Sequence, residues 1–580
     1  MTDPRRVAHV LSRISGLLEL TGVDRFRARA YRGAADAIRG LGVDDIAPLY
    51  HSGELAKVQG IGPATLSVIG EIVETGESQF LDRLLESVPE GLVQVAHVPG
   101  LTPAKAARLH RELEIASLDD LEAAARSGRL ASVKGFGEKT VRRVLRGVEI
   151  ARGRSGKLLY RHAVTEAQRS AGEIAAHPDV LRVEPAGEIR RVADTVRDII
   201  LVAECRADAN VTLADLADAP GVLEAIPRAD GGAVHLRFVD DTELDLSCAS
   251  AERFAFALWR ETGNAEHVAQ VVAHAASRGV DLATLHVASE EEIYAAAGLP
   301  WIAPELREGL GEVEAAARGE LPVLVEQSDL RGVIHCHSEW SDGSVPIAEM
   351  AAAARDRGWS YLGISDHSMA AFYAGGLKPD AVKRQHDEID ALNAKATDGF
   401  RILKGIECDI LGDGELDYDD AIRDSFDYVV GSIHSRFSME RDAMTARILR
   451  AMDDPHLTVL AHPTGRLLLQ REPYALDLEA VIEKAVETGL TLELNADPSR
   501  LDLDWRWCKR AVERGARIAI GPDAHSPRGL DHAFFGVRLA RKAWLRASDV
   551  LNTRSADDLL AIARSRRVRS VSPGGSESSP

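Results

Sequence analysis

Six apolar or β-rich runs in the second half of the chain each stop at a histidine or a carboxylate, and no other feature narrows the fold as much. RGVIHCHSEWSDG delivers His335, His337 and Asp342; YLGISDHS delivers Asp366 and His367; RILKGIECDI delivers Glu407. YVVGSIHS, TVLAHPTG and RIAIGPDAHS follow with His434, His462 and the pair Asp523 and His525. Between the runs lie helical patterns, IAEMAAAARDRG, LEAVIEKAVETG and WRWCKRAVERG, so strand and helix alternate as in a (β/α) barrel. The carboxyl ends of barrel strands share one face, which would gather these side chains around a single pocket. Strand alternation puts His335 and His337 on one face, where two imidazoles can grip one ion. An isolated His-x-His is more often a hydrogen-bonded pair at a strand end. Here it is one of several such endings, and one ion takes only three or four protein ligands. His335, His337, Asp342, His367, Glu407, His434, His462, Asp523 and His525 therefore suffice for two or three ions.

This ordered set resembles the polymerase-and-histidinol-phosphatase (PHP) family of phosphoesterases over about residues 330–567, matching its ligands at those nine positions. The resemblance implies a distorted barrel of fewer than eight strands, whose Mn, Zn or Fe ions cut phosphate esters and whose ligands form the catalytic centre. Mixed imidazole and carboxylate ligands suit divalent transition metals better than Mg²⁺ or Ca²⁺, which prefer all-oxygen shells. Arg436, Arg466 and Arg500 lie just after barrel strands and are candidate phosphate clamps, although each could equally be an ion-pair partner.

The front of the chain carries a repeat: VQGIGPATLSVI, VPGLTPAKAARL and VKGFGEKTVRRV. Each has an apolar residue, a tight turn at Gly60 and Gly62, Gly100 and Thr102, or Gly135 and Gly137, and then a helix. Such a turn aims backbone N–H groups and a helix N-terminus at one point, a phosphate site that reads no base. One copy could be a helix corner closed by a glycine; three copies beside Lys105, Arg108, Lys134, Lys139, Arg142 and Arg143 point to DNA. They resemble helix-hairpin-helix motifs, which hold DNA backbones whatever the sequence. Charge agrees: the net −20 would repel nucleic acid, but residues 1–170 hold 25 Lys and Arg against 21 Asp and Glu, so the acidic excess lies downstream.

In the middle of the chain VLRVEPAGEIRRVADTVRDIILVAE reads strand, turn, strand, and the order of motifs resembles bacterial family X DNA polymerases. That resemblance implies helix-hairpin-helix domains over 1–150, an α+β nucleotidyltransferase palm and thumb over 151–320, the PHP barrel over 330–567 and a disordered tail, 568–580. The family's polymerase signature is Gly-Ser-x-Arg-Arg-Gly followed by Gly-Asp-x-Asp, with a third Asp on a later strand, and it holds two Mg²⁺ ions. This chain keeps Gly187, Arg190, Arg191, Asp198 and Asp245. Ile200 stands where the second carboxylate belongs, Glu188 replaces the serine that meets the triphosphate, and Val192 and Arg197 replace glycines. WRETGN replaces the thumb's aromatic pair, and PATLSVIGEIVETG lacks the lysine that a Schiff-base lyase needs.

The leading expectation is a DNA-repair phosphoesterase: a 3′→5′ exonuclease, with 3′-phosphate removal and abasic-site incision as further candidates. The alternatives are a working gap-filling polymerase that recruits Asp194 or Glu204, a non-catalytic scaffold on gapped DNA, and a small-molecule phosphatase. The expected partner is gapped, nicked or single-stranded DNA, bound by a monomer. The chain has no apolar stretch of membrane-spanning length and no signal-peptide core, so a cytoplasmic location is expected. Five cysteines without C-x-x-C spacing predict neither disulfides nor a zinc ribbon.

Overall fold

The computed structural model describes residues 2–569 except 22–24, 42, 44, 97, 99–100, 155, 207, 220, 229–231 and 239–241. Gly100 and the tail beyond residue 569 therefore lie outside the described residues, as does the side chain of Lys139. All five cysteines are buried and free. Among the described residues no helix is long and apolar enough to cross a membrane.

The first part is helical, and its buried apolar residues form one cluster running from Val7 to Val148. The three repeats close the same turn: Val58, Val98 and Val133 each accept a hydrogen bond from the backbone N–H three residues on, at 3.1, 2.9 and 3.0 Å. The residue that closes each turn, Ile61, Leu101 or Phe136, is buried, which pins the turn to the core. Gly60 (φ 99°) and Gly135 (φ 91°) take the left-handed conformation that favours glycine. Gly62 and Thr102 instead cap the following helices, Pro63–Thr75 and Pro103–Leu113, in the same extended conformation (φ −99° and −112°). No left-handed backbone is needed there, which is why threonine can replace glycine in the middle repeat.

Next come β1 (Leu158–Leu159), β2 (Val180–Pro185), β3 (Thr195–Val196), β4 (Ile200–Cys205), β5 (Val222–Pro227), β6 (Ala233–Phe238) and β7 (Glu243–Ser250). β1 pairs with β3, and the others form a sheet in the order β2-β4-β7-β6-β5, in which only β4 and β7 run parallel. Helices Ala251–Thr262, Ala265–Ser277 and Glu290–Ala297 then pack around Trp259 and Tyr294.

The last part is a parallel barrel of β8 (Gly332–Cys336), β9 (Tyr361–Ile364), β10 (Arg401–Asp409), β11 (Tyr428–Ser432), β12 (Leu457–Leu460), β13 (Thr491–Asn495) and β14 (Arg517–Gly521). Neighbours in sequence are neighbours in the sheet, and a bridge between Cys336 and Ala524 brings the first strand to the last. The strands are buried on both faces by Val, Ile and Leu, the pattern of a parallel sheet covered by helices. Charged side chains tie the barrel to the preceding part: Arg466 to Asp194 at 2.9 Å, Arg541 to Glu305 at 3.0 Å, and Arg538 to the Tyr160 hydroxyl at 2.6 Å.

Candidate metal centre

The carboxyl ends of the barrel strands converge. Four groups of potential ligand atoms lie within 4.8 Å of one another: His337, Asp342, His367 and His525; His335, His337 and Glu407; His335, His462 and Asp523; and His367, Glu407 and His434. All nine expected side chains are in the set, and Glu407 is its hub. Its carboxylate lies 3.1 Å from His462 Nε2, 3.2 Å from His434 Nε2, 2.9 Å from His367 Nδ1 and 3.4 Å from His335 Nε2. Asp342 and His525 form the half-exposed outer edge, with the His525 ring stacked 4.1 Å from that of His337.

His335 reaches the cluster by a different route from simple alternation. The ladder between β8 and β9 shifts register after Val333, and His335 takes a left-handed backbone (φ 65°). Asp523 (φ 50°) and His462 (φ 27°) are left-handed too. Such conformations cost a non-glycine residue on the order of 1 kcal/mol or more, and here three of them fall on converging side chains.

Buried polar groups normally find partners, yet several here have none. His335 Nε2, both ring nitrogens of His337, Glu407 Oε2, His434 Nδ1 and His462 Nδ1 are buried without a hydrogen bond. Convergent imidazole nitrogens and carboxylate oxygens are the donors that divalent transition metals take, so the residues fit metal binding. Burial alone would lower every imidazole, and it holds His337 at about 4 and His462 at about 3. For His367 and His434 burial is outweighed by Glu407, together with Asp342 or Asp409, and they rise to about 10 and about 9. Burial would raise Glu407 and Asp523, but the surrounding imidazoles hold both carboxylates well below their ordinary range.

A supporting layer lies behind these side chains. Glu493 on β13 accepts from His335 Nδ1 at 2.5 Å and from the His462 backbone N–H at 2.7 Å, and Asn495 donates to both Glu493 and Asp523. Neither residue is among those expected from the sequence, although TLELN is itself an apolar run carrying a carboxylate. Asp366 is not in the cluster; it accepts from Ser338, Ser341 and Gln385 and holds the loop after β8.

The three candidate clamps separate. Arg500 lies at the centre, its Nε 3.4 Å from Asp523. Arg436 is exposed two residues past His434, its guanidinium packed over Gly412. Arg466 is excluded as a clamp: its guanidinium is spent on Asp194, Asp504 and the carbonyls of Arg500 and Leu501. In the front part Gly60, Gly62, Gly135, Gly137, Thr102 and Lys134 are exposed and Lys105 is partly so, whereas Arg108 is committed to Glu112 and the Lys134 carbonyl.

Comparison with known proteins agrees with this geometry. Residues 334–496 match the PHP domain, residues 3–78 a helix-hairpin-helix domain, and residues 92–149 a SAM-like helix-hairpin-helix tandem. A probable phosphatase of Syntrophotalea carbinolica is 30% identical over 33% of this chain and 79% of its own length. A DNA polymerase/3′-5′ exonuclease PolX of Bacillus subtilis is 36% identical over 96% of this chain and 99% of its own length. The chain belongs to the bacterial family X DNA polymerases.

In the middle part the signature side chains are held by neighbours within the fold. Arg190 is clamped by both oxygens of Glu290 at 2.7 Å and by Thr262, while Arg191 binds the Thr262 carbonyl and Glu308. Both tie this turn to the helices that follow the sheet. Asp198 is exposed, and Asp245 is held by His235 at 2.8 Å. Ile200 sits directly opposite Asp245 and packs into a small apolar cluster with Ala186, Val202 and Phe254. Glu188 accepts from the Arg197 backbone N–H at 2.6 Å, so it stays at the mouth of this site. Of the two alternative carboxylates, Asp194 pairs with Arg466 at 2.9 Å, and Glu204 pairs with Arg182 at 2.6 Å farther along β4. Among the described residues every convergent His and carboxylate group lies in the barrel.

Proposed function

We propose that the barrel hydrolyses DNA phosphodiesters as a metal-dependent 3′→5′ exonuclease. In this reading residues 1–150 hold the DNA backbone, 151–320 form a palm and thumb that have lost DNA synthesis, and 330–567 carry the chemistry. The observation that carries it is the convergent ligand set around Glu407, several of whose buried ring nitrogens have no hydrogen-bond partner. His335, His337, Asp342, His367, Glu407, His434, His462, Asp523 and His525 would hold the ions. Divalent ions supply Lewis acidity there and acidify water, which hydrolysis of a phosphodiester at neutral pH needs. Glu493 orients His335, Asn495 orients Asp523, and Arg500 is placed to neutralise a phosphate oxygen. The same centre would suit 3′-phosphate removal and abasic-site incision, which use the same bond chemistry. The test is a 5′-labelled single strand with Mn²⁺: stepwise shortening from the 3′ end is expected, and an intact strand would contradict the reading.

DNA synthesis is the second reading, favoured by the name of the Bacillus relative. Against it stand Ile200, which offers no ligand to Mg²⁺, and Glu188, which would repel a triphosphate; at ~4 Å two like charges cost about 1 to 4 kcal/mol, depending on the local dielectric. The hairpins meet only phosphates in this reading. DNA affinity should fall steeply between 50 and 200 mM salt and hardly vary with base sequence, and titration of two unrelated strands by anisotropy checks this.

Metal affinity should rise with pH. With His367 held at about 10 and His434 at about 9, both carry protons at pH 7 in the metal-free protein. Those protons must leave before the ring nitrogens can donate to a cation, so binding should release protons. Calorimetry of Mn²⁺ binding at pH 7 in buffers of different ionisation enthalpy reads the release directly, and buffer-independent heats would contradict it.

A further inference from the structure

We propose that Phe372, with Tyr373 beside it, is a stacking platform for an unpaired nucleobase next to the phosphodiester to be cut. The inference rests on the exonuclease reading above and adds what that reading leaves open, namely how the barrel distinguishes a frayed end from a paired one.

The platform lies in the segment that leaves the barrel just after His367. Leu377 returns to donate to the His367 carbonyl at 2.9 Å, so the excursion begins and ends at a candidate ligand. It is braced inside by bonds from Ala371 to Ser368, Ala374 to Ala371 and Gly376 to Ala371, at 3.0, 2.9 and 3.1 Å. Asp417 holds the Ala370 N–H from outside at 2.6 Å. At Gly376 a Cβ would stand 1.9 Å from the Ser368 carbonyl oxygen, so only glycine lets the loop close this tightly. Ala371, Ala374 and Leu377 point inward and are buried, whereas Phe372 is 85% and Tyr373 63% exposed. A tightly tied loop therefore buries its small residues and presents its two largest to solvent, the opposite of what folding alone would select.

The placement tells what the aromatic faces meet. The Tyr373 ring is 6.5 Å from both the His367 and the His434 rings, at the edge of the metal centre. The Phe372 ring lies 6.0 Å from that of Tyr373 and nearly perpendicular to it. A base next to a phosphate held beside His367 and His434 is within reach of this rim. Aromatic rings accept any base, because every base has a π-face, but only one that has left the duplex stack. The hairpins can contact phosphates alone, so discrimination against paired ends falls to this loop.

Phe372→Ala leaves the loop's internal bonds intact, so its melting temperature should match that of the wild type. Two measurements on the full chain with Mn²⁺ test the proposal. The first is the ratio of single-strand DNA cleavage to bis-p-nitrophenyl phosphate hydrolysis, which should fall about tenfold in Phe372→Ala and in Phe372→Leu and return in Phe372→Trp. A ratio unchanged in Phe372→Ala, or rescued by leucine, overturns stacking. The second is fluorescence of a 3′-terminal 2-aminopurine on a strand whose last linkage is a cleavage-resistant phosphorothioate. Quenching on binding, lost in Phe372→Ala, supports the platform; equal quenching in both proteins, as a rim built for a protein partner would give, overturns it. Should the wild type cleave neither substrate, the exonuclease reading fails, while the quenching experiment still decides whether the rim binds a base.

Discussion

Asp523→Ala is expected to lower hydrolysis of single-stranded DNA about a thousandfold or more while DNA affinity changes by less than about threefold. Asp523 lies 3.7 Å from His335 and 3.4 Å from His337, and it takes Arg500 on its other oxygen, so its loss opens the group it shares with His335 and His462. Removing a ligand from such a site withdraws several kcal/mol of transition-state stabilisation, and about 4 kcal/mol corresponds to a thousandfold. DNA affinity should survive because the hairpins have their own apolar core, distinct from that of the barrel. If the cluster were purely structural, the same substitution would instead collapse the fold. Melting curves and bound-metal content beside the rate separate the two: lost metal and lost turnover with a small melting shift agree with a catalytic centre.

The second large effect is expected at a residue that touches no candidate ion. Glu493→Gln should weaken metal affinity or turnover about 10- to 100-fold, the usual consequence of removing a partner that orients a ligand. The carboxylate accepts from His335 Nδ1 and fixes which ring nitrogen faces the centre. It also accepts from the His462 backbone, where the chain is held at a positive φ. The amide keeps the shape and one acceptor but loses the charge opposite the imidazole. Titration of Mn²⁺ into the variant checks this, and wild-type affinity with wild-type turnover would remove Glu493 from the account.

Much of this was legible in the sequence because barrel strands end where their ligands begin. That these side chains gather at one end of a barrel could be expected without coordinates from the runs and their spacing, and the resemblance named nine of them; Asp366, which ends a run in the same way, lies outside the cluster. What could not be read was how the backbone turns at each ending. His335 arrives through a register shift and a left-handed residue, which no alternation rule encodes. Glu493 and Asn495 were overlooked because TLELN carries its polar groups inside the strand rather than after it. Arg466 looked like Arg500 by position, and only the packing of Asp194 against it separates an interdomain tie from a clamp. In the middle part the departures of Ile200 and Glu188 from the signature stand in the sequence, but the commitment of Arg190 and Arg191 to Glu290 and Glu308 depends on residues about a hundred positions away.

The central claim is that chemistry resides in the barrel and has left the palm. A 5′-labelled primer annealed beside a gap, incubated with Mn²⁺ and all four deoxynucleoside triphosphates, tests it most directly. The wild type and Asp198→Ala are both expected to shorten the primer, and Asp523→Ala to leave it unchanged in length. Template-directed extension by the wild type that is abolished by Asp198→Ala would contradict it.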